Sequence, residues 1–287
     1  MKKININRDL YLLSFDIEDW FQVENFKGSI RKEDWNNKKL RVAENTEKLL
    51  DILDEYNTKA TFFILGWIAK KIPNLISEIS RREHEVASHG YGHDLIYNLT
   101  ETEFIMDIRR SKNILEDIIG KEVIGYRAPS FSITDRALNI LMEEGFKYDS
   151  SYFPTLIHDN YGKLNSIKYK KENAIEKINE NFYEILIPTL DFINIKIPWG
   201  GGGYFRFTPY PFYKIGINKI IKTRRVFLFY LHPWEIDTLQ PKLKNIRTID
   251  YLRHYGGIIG TESKLNKLLK DFSFIPIQEA LKFLKLL

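Results

Sequence analysis

Two histidines four positions apart, His89 and His93 in SHGYGH, are spaced to meet one metal ion. Glycines at 90 and 92 argue against a regular helix, so the pair reads as a turn at the end of a strand. Neutral imidazoles suit zinc and its neighbouring divalent metals, and one carboxylate would complete a triad with open positions for water. SFDIEDWF supplies carboxylates: Asp16, Glu18 and Asp19 follow an apolar run and are followed at once by Trp20 and Phe21. Acids spaced so closely repel one another unless a cation lies between them. His232 ends the apolar run RVFLFYLH, and Arg127 heads RAPSF; each suits either a packed structural role or a chemical one. The glycines at 200–203, followed by Tyr204 and Arg206, resemble a phosphate cradle. They lack the strand, Lys and Ser/Thr of a nucleotide-binding loop, so they read as a flexible loop beside a bulky ligand.

These residues need elements to position them. Short apolar runs alternate with amphipathic ones, the pattern of β/α units. Strands are expected at 10–16, 59–65, 84–89, 122–127, 146–150, 183–188 and 225–232. Helices are expected at 43–56, 73–82, from Thr100 onward, and at 134–144, with Thr100 and Glu103 at capping-box spacing. The acids follow the first strand and the histidines the third. Arg127, Asp149 and His232 end the fourth, fifth and last. Parallel α/β sheets collect functional groups at those strand ends. Between 151 and 210 the rhythm gives way to an elaborated, loop-rich connection, and a helical extension occupies about 240–287. A single α/β domain over 1–287, built on a parallel barrel-like sheet, is the expected architecture.

Composition excludes several classes. The 287 residues include no cysteine, which removes disulfides, thiolate metal sites and a cysteine nucleophile. The net charge of +5 arises from 43 basic against 38 acidic residues, a mixed surface that does not call for a nucleic-acid partner. No run approaches the roughly 18 apolar residues of a spanning helix. MKKININRDL lacks the apolar stretch of a signal peptide, so a cytoplasmic location is expected.

Five motifs in order make the chain resemble the polysaccharide deacetylase family, the NodB-homology or carbohydrate esterase family 4 group. They are SFDIED (14–19), SHGYGH (88–93), RAPSF (127–131), YDSS (148–151) and LHPWE (231–235), and the resemblance runs from Leu10 to about Glu235. DIEDWF, GGGGYFR and the tail RHYGGIIGTESKLNKLL resemble the exopolysaccharide-locus subgroup with its C-terminal extension. The resemblance implies a distorted (β/α)7 barrel and removal of an acetyl group from an N-acetylated sugar.

It also implies roles. A divalent metal, most simply zinc (cobalt, nickel or iron accept similar donors), would be held by His89, His93 and a carboxylate. The family pattern has two adjacent aspartates, but here Ile17 follows Asp16, so that carboxylate is Glu18 or Asp19. Side-chain alternation favours Glu18, while a turn would admit Asp19. Gly90 stands where the family usually carries Ser or Thr. Asp16 matches the base, His232 the acid, and Arg127 the arginine that orients the acids; Asp149 is expected to orient His232. A backbone N–H near Ser130 or Phe131 is expected to meet the oxyanion. Trp20, Trp199, Tyr204, Arg206 and Trp234 are expected to contact the sugar. The expected partner is an N-acetylated saccharide, free as a nucleotide-sugar or membrane-associated as a lipid-linked glycan, and the oligomeric state is left open. The alternatives are a barrel hydrolase acting on another amide, such as a cyclic ureide, and an inactive glycan-binding barrel.

Overall fold

A computed structural model describes residues 4, 6–155, 161–167, 170, 172–192, 195–244 and 246–287. Its strands are β1 (Leu10–Ile17), β2 (Thr61–Ile64), β3 (Glu85–Ser88), β4 (Gly125–Tyr126), β5 (Tyr148–Asp149), β6 (Ile175–Lys177), β7 (Tyr183–Ile185), β8 (Thr189–Phe192), β9 (Ile195–Pro198), β10 (Val226–Leu231) and β11 (Phe274–Ile275). One curled sheet runs β10-β1-β2-β3-β4-β5-β7-β6. The seven expected strands all run parallel in it; short β11 adds a further parallel pairing on β1, β6 is added antiparallel at the edge, and β8 and β9 form a separate hairpin. The distorted (β/α)7 architecture is therefore present.

The helices are α1 (Val42–Glu55), α2 (Gly66–Lys71), α3 (Pro73–Arg81), α4 (Glu101–Ile119), α5 (Asp135–Glu143), α6 (Gly202–Phe207), α7 (Tyr210–Arg224), α8 (Thr248–Tyr255), α9 (Thr261–Asp271) and α10 (Ile277–Phe283). The expected capping box forms at α4, where Glu103 N donates to Thr100 Oγ1 and Thr100 N to Glu103 Oε2. No helix among the described residues is long and apolar enough to cross a membrane.

Strand alternation sorts the residues into two layers. Leu13, Phe15 and Ile17 of β1 join the core formed with Leu49, Leu53, Ile76 and Ile108 of the outer helices. Leu10 and Leu12 face inward with Phe63, Tyr148 and Leu228. Because successive side chains point to opposite faces, Ser14 and Asp16 continue that inward row. On β10 the same rule carries Val226, Leu228 and Tyr230 up to His232. On β1 and β10 the inward row is apolar below and turns polar at the mouth, whereas β2 and β3 start from the buried polar pair Thr61 and Glu85 at the lower end.

The sheet does not close by a ladder between β7 and β10. The glycine segment fills the gap instead: Tyr230 N donates to Gly200 O at 2.7 Å, and Gly201 bridges Tyr230. Gly201 has φ +144°, and a Cβ there would lie 1.9 Å from Tyr230 O. Glycine is required because two backbones meet. This corrects the expectation of a flexible loop beside a ligand.

α10 plugs the lower end, placing Ile277 and Leu281 in the inner cluster. Its first amides are met from the barrel, Ile277 N by Thr61 Oγ1 at 2.8 Å and Gln278 N by buried Glu85 Oε2 at 2.9 Å. Truncating fully buried Ile277 to Ala should cost about 2–5 kcal/mol, the transfer term plus a cavity. Urea unfolding measures the loss, and metal uptake at the opposite end should be unchanged in the folded variant.

Candidate active site

Arg127 follows β4 and turns its side chain into the barrel, where it is 0% exposed. Its Nη1 donates to Asp16 Oδ1 at 2.6 Å and Ser14 Oγ at 2.9 Å, both on the inward row of β1. Its Nε and Nη2 donate to Ser150 O and Oγ at 2.8 and 2.9 Å. Phe63 lies beneath the guanidinium, 4.1 Å from ring centroid to Cζ. Arg127 O completes the set by accepting from His89 Nδ1 at 2.8 Å. That bond puts the His89 proton on Nδ1 and leaves the Nε2 lone pair for a metal.

Ligand atoms of Glu18, His89 and His93 lie within 4.8 Å of one another, and all three residues are buried. Glu18 Oε2 is 2.6 Å from His93 Nε2, yet it has no aligned hydrogen-bond partner. Two such atoms in close contact without a directed proton suit a shared cation. Burial pushes His89 down to about 4, outweighing the pull of Asp16 and Glu18, so the ring is neutral as a ligand must be. Burial alone would raise the Glu18 carboxyl, but the neighbouring His93, His232 and His89 hold it well below the usual carboxylate range. The residues therefore fit a divalent metal.

The turn that presents the histidines is built by α4. Both carboxylate oxygens of Asp107 accept from it, from Tyr91 N at 2.8 Å and Gly92 N at 3.0 Å. Gly90 has φ +72°, and a Cβ there would sit 2.7 Å from Asp107 Oδ2. Asp107 thus explains why no Ser or Thr stands at 90. His93 also has positive φ, +53°.

His232 faces this cluster across the barrel mouth, its Nε2 3.5 Å from Glu18 Oε1 and 3.8 Å from Asp16 Oδ2. Its Nδ1 bonds Glu235 Oε2 at 2.8 Å, and its backbone N donates to the same oxygen at 3.1 Å. Burial disfavours the imidazolium, but Glu18, Glu235 and Asp16 outweigh it and raise His232 to about 9.

Several expectations are corrected. Asp19 is not at the metal cluster: Oδ2 accepts from Arg41 N (2.8 Å) and Val42 N (3.0 Å) at the start of α1, and Oδ1 from Trp20 N (2.8 Å). Its oxygens are taken up by backbone amides. Asp149 does not orient His232. It pairs in register with Tyr126 and Glu184, on the sheet face opposite the inward Tyr148, where it accepts from Ser151 Oγ at 2.7 Å. Burial raises both carboxyls; the Asp149 charge raises Glu184 further, while the hydrogen bond with Glu184 pulls Asp149 back down. Phe131 N already donates to Ala128 O at 2.9 Å within the turn that follows Arg127.

The sugar-contact set shrinks as well. Trp20 is buried among Phe21, Trp35 and Trp234, with Nε1 on Lys39 O at 3.2 Å. Trp199 is stacked on Tyr213 at 5.2 Å. Trp234 has both faces covered, by His232 at 5.2 Å and His254 at 4.3 Å, and its Nε1 donates to Glu18 Oε1 at 3.2 Å. Arg206 is buried against Glu235. Tyr204 is half-buried and stays a candidate. Glu235, Asp107, Ser14 and Ser150 were missed; only Glu235, at capping spacing from His232, left a readable signal.

Residues 33–148 match the polysaccharide deacetylase family, and residues 150–282 match a domain of unknown function, DUF3473. A peptidoglycan-N-acetylglucosamine deacetylase of Bacillus cereus is 34% identical over 103 residues, 36% of this chain and 38% of that protein. A peptidoglycan deacetylase of Helicobacter pylori is 29% identical over 247 residues, 78% of this chain and 82% of that protein. The chain thus spans well under half of the first relative and most of the second. A crystal structure from Mycobacterium smegmatis, designated a polysaccharide deacetylase, shares the fold with TM-score 0.62 at 17% identity, over 97% of this chain and 91% of that one.

The division between Glu18 and Asp19 is testable. Glu18→Gln should weaken metal binding by more than the roughly 10–100-fold typical of losing an outer partner. Asp19→Ala should instead lower stability by about 1–2 kcal/mol, as for a lost helix cap, while keeping the metal. Calorimetric metal titration beside chemical unfolding separates the two; metal loss in Asp19→Ala alone would reverse the assignment.

Proposed function

This chain belongs to the polysaccharide deacetylase family, and from that premise we propose that it is a hydrolase removing the acetyl group from an N-acetylated sugar of a glycan or glycan precursor. The observation that carries the reading is the joint placement of three groups at one barrel mouth: the Glu18–His89–His93 cluster, Asp16 held by Arg127, and His232 held by Glu235. The B. cereus and H. pylori relatives are named for peptidoglycan, which favours an N-acetylated hexosamine polymer or its precursor.

Glu18, His89 and His93 would hold the metal, and two imidazoles with one carboxylate suit zinc. A divalent ion bound there supplies a Lewis acid for the acetamide carbonyl and acidifies a water. Asp16 accepts the proton of the attacking water. Arg127 fixes its Oδ1, leaving Oδ2 on the His232 side of the site. Water oxygen bonds to the carbonyl carbon, and the C–N bond then breaks as His232 Nε2 delivers a proton to the leaving nitrogen. Acetate and a free amino sugar result. Glu235 holds the Nδ1 proton throughout, which keeps Nε2 aimed at the nitrogen.

A single general acid contributes about 10²–10⁴-fold, so His232→Ala should reduce turnover by that factor with metal content intact. Acetate release from N-acetylated oligosaccharides, beside metal analysis, measures both; full activity would remove His232 from the mechanism. The pH dependence has a definite sign. The working form of His232 is protonated, so activity is present below its pKa and lost as pH rises through it. Glu235→Gln deletes one of the charges that raise it, so the alkaline limb of the kcat/KM profile should move to lower pH. An unmoved limb would contradict the acid assignment.

A further inference from the structure

Arg206 sits in the last turn of α6 and is 4% exposed. Its Nε donates to Glu235 Oε1 at 2.7 Å. Its two terminal nitrogens donate to carbonyls at the end of α8: Nη1 to His254 O at 2.9 Å and to Gly256 O, Nη2 to Arg253 O at 2.5 Å. Glu235 is itself fully buried, and its other oxygen holds both the backbone N and the Nδ1 of His232. One unbroken chain of hydrogen bonds therefore runs from α8 through Arg206 and Glu235 to the imidazole.

The surroundings are built for it. Lys264 of α9 donates to Arg206 O and, at 3.0 Å, to Thr208 O, tying down the end of α6. Gly257 has φ +74°, and a Cβ there would lie 2.9 Å from Arg206 O. His254 of α8 stacks on Trp234, whose opposite face carries His232. A buried ion pair is a poor way to gain stability, since apolar residues of similar volume often serve as well or better. Only a planar fork of guanidinium donors reaches a carboxylate and three carbonyls at once, which a lysine cannot do.

We propose that Arg206 is a positioning residue for His232, locking Glu235 onto the end of α8 so that the C-terminal region is a working wall of the active site. The link rests on the deacetylase reading only for its effect on turnover; the hydrogen-bond chain stands apart from the substrate.

Its test uses the full metal-loaded chain. In Arg206→Lys and Arg206→Gln, kcat should fall about 10–100-fold, the usual loss on removing an outer-shell partner. KM and metal content should stay near wild type, since the interaction supports the transition state more than binding. The far-downfield NMR signal of the His232 Nδ1 proton, assigned by its absence in His232→Ala, should shift or vanish. An unchanged kcat and signal would overturn the proposal, as would kcat falling only in step with lost metal. Should the single variants fail to fold, Arg206→Met/Glu235→Leu removes both charges together. It should still lose about 10–100-fold in turnover, and wild-type turnover in it would also refute the link. A wild-type protein that releases no acetate, yet whose His232 signal responds to Arg206, would refute the deacetylase reading and uphold the positioning role.

Discussion

Arg127 lies wholly inside the barrel, its guanidinium bonded to β1 and to the segment after β5, its carbonyl to His89. An unpaired charge there would be prohibitive, and removing one partner from a buried pair costs about 3–5 kcal/mol. The barrel can therefore close around Arg127 only if Asp16, Ser14 and Ser150 converge on it. The same convergence sets the Asp16 carboxylate and the His89 tautomer. Folding and chemistry share one constraint: the bonds that make the arginine tolerable also aim the groups that would act.

The inward row of β1 shows how much was legible beforehand. Leu10, Leu12, Ser14 and Asp16 alternate by the period of the pleat, and continuing that row chooses Glu18 over Asp19. The same rule, applied to β5, sends Tyr148 and Ser150 inward and Asp149 outward to Glu184. Reading Asp149 by its strand end alone, without its face, assigned it to the wrong side of the sheet. The glycine run misled for a different reason. Glycine marks both mobile loops and close backbone contact, and only the partner strand β10, far along the chain, decides between them.

The aromatic and arginine candidates were the least legible. Trp20, Trp199 and Trp234 sit near the motifs in sequence but are consumed by tertiary packing, two of them through indole N–H bonds to main-chain carbonyls. Trp234 ends nearer the chemistry than expected, as the donor to Glu18 rather than a sugar platform. Arg206 lies 29 positions from Glu235 and 48 from His254, a separation no local pattern reveals. The C-terminal region thus appears in the sequence as an appendage, while the structure makes it a neighbour of the His232 side of the site.

The central claim is that Glu18, His89 and His93 form one metal centre within this arginine-anchored frame. Anomalous diffraction at the absorption edge, from crystals loaded with zinc, tests it most directly. The account predicts a single strong peak about 2.0–2.2 Å from one oxygen of Glu18 and one nitrogen each of His89 and His93. A peak at Asp19 or away from the histidines, or none at the barrel mouth, would contradict it.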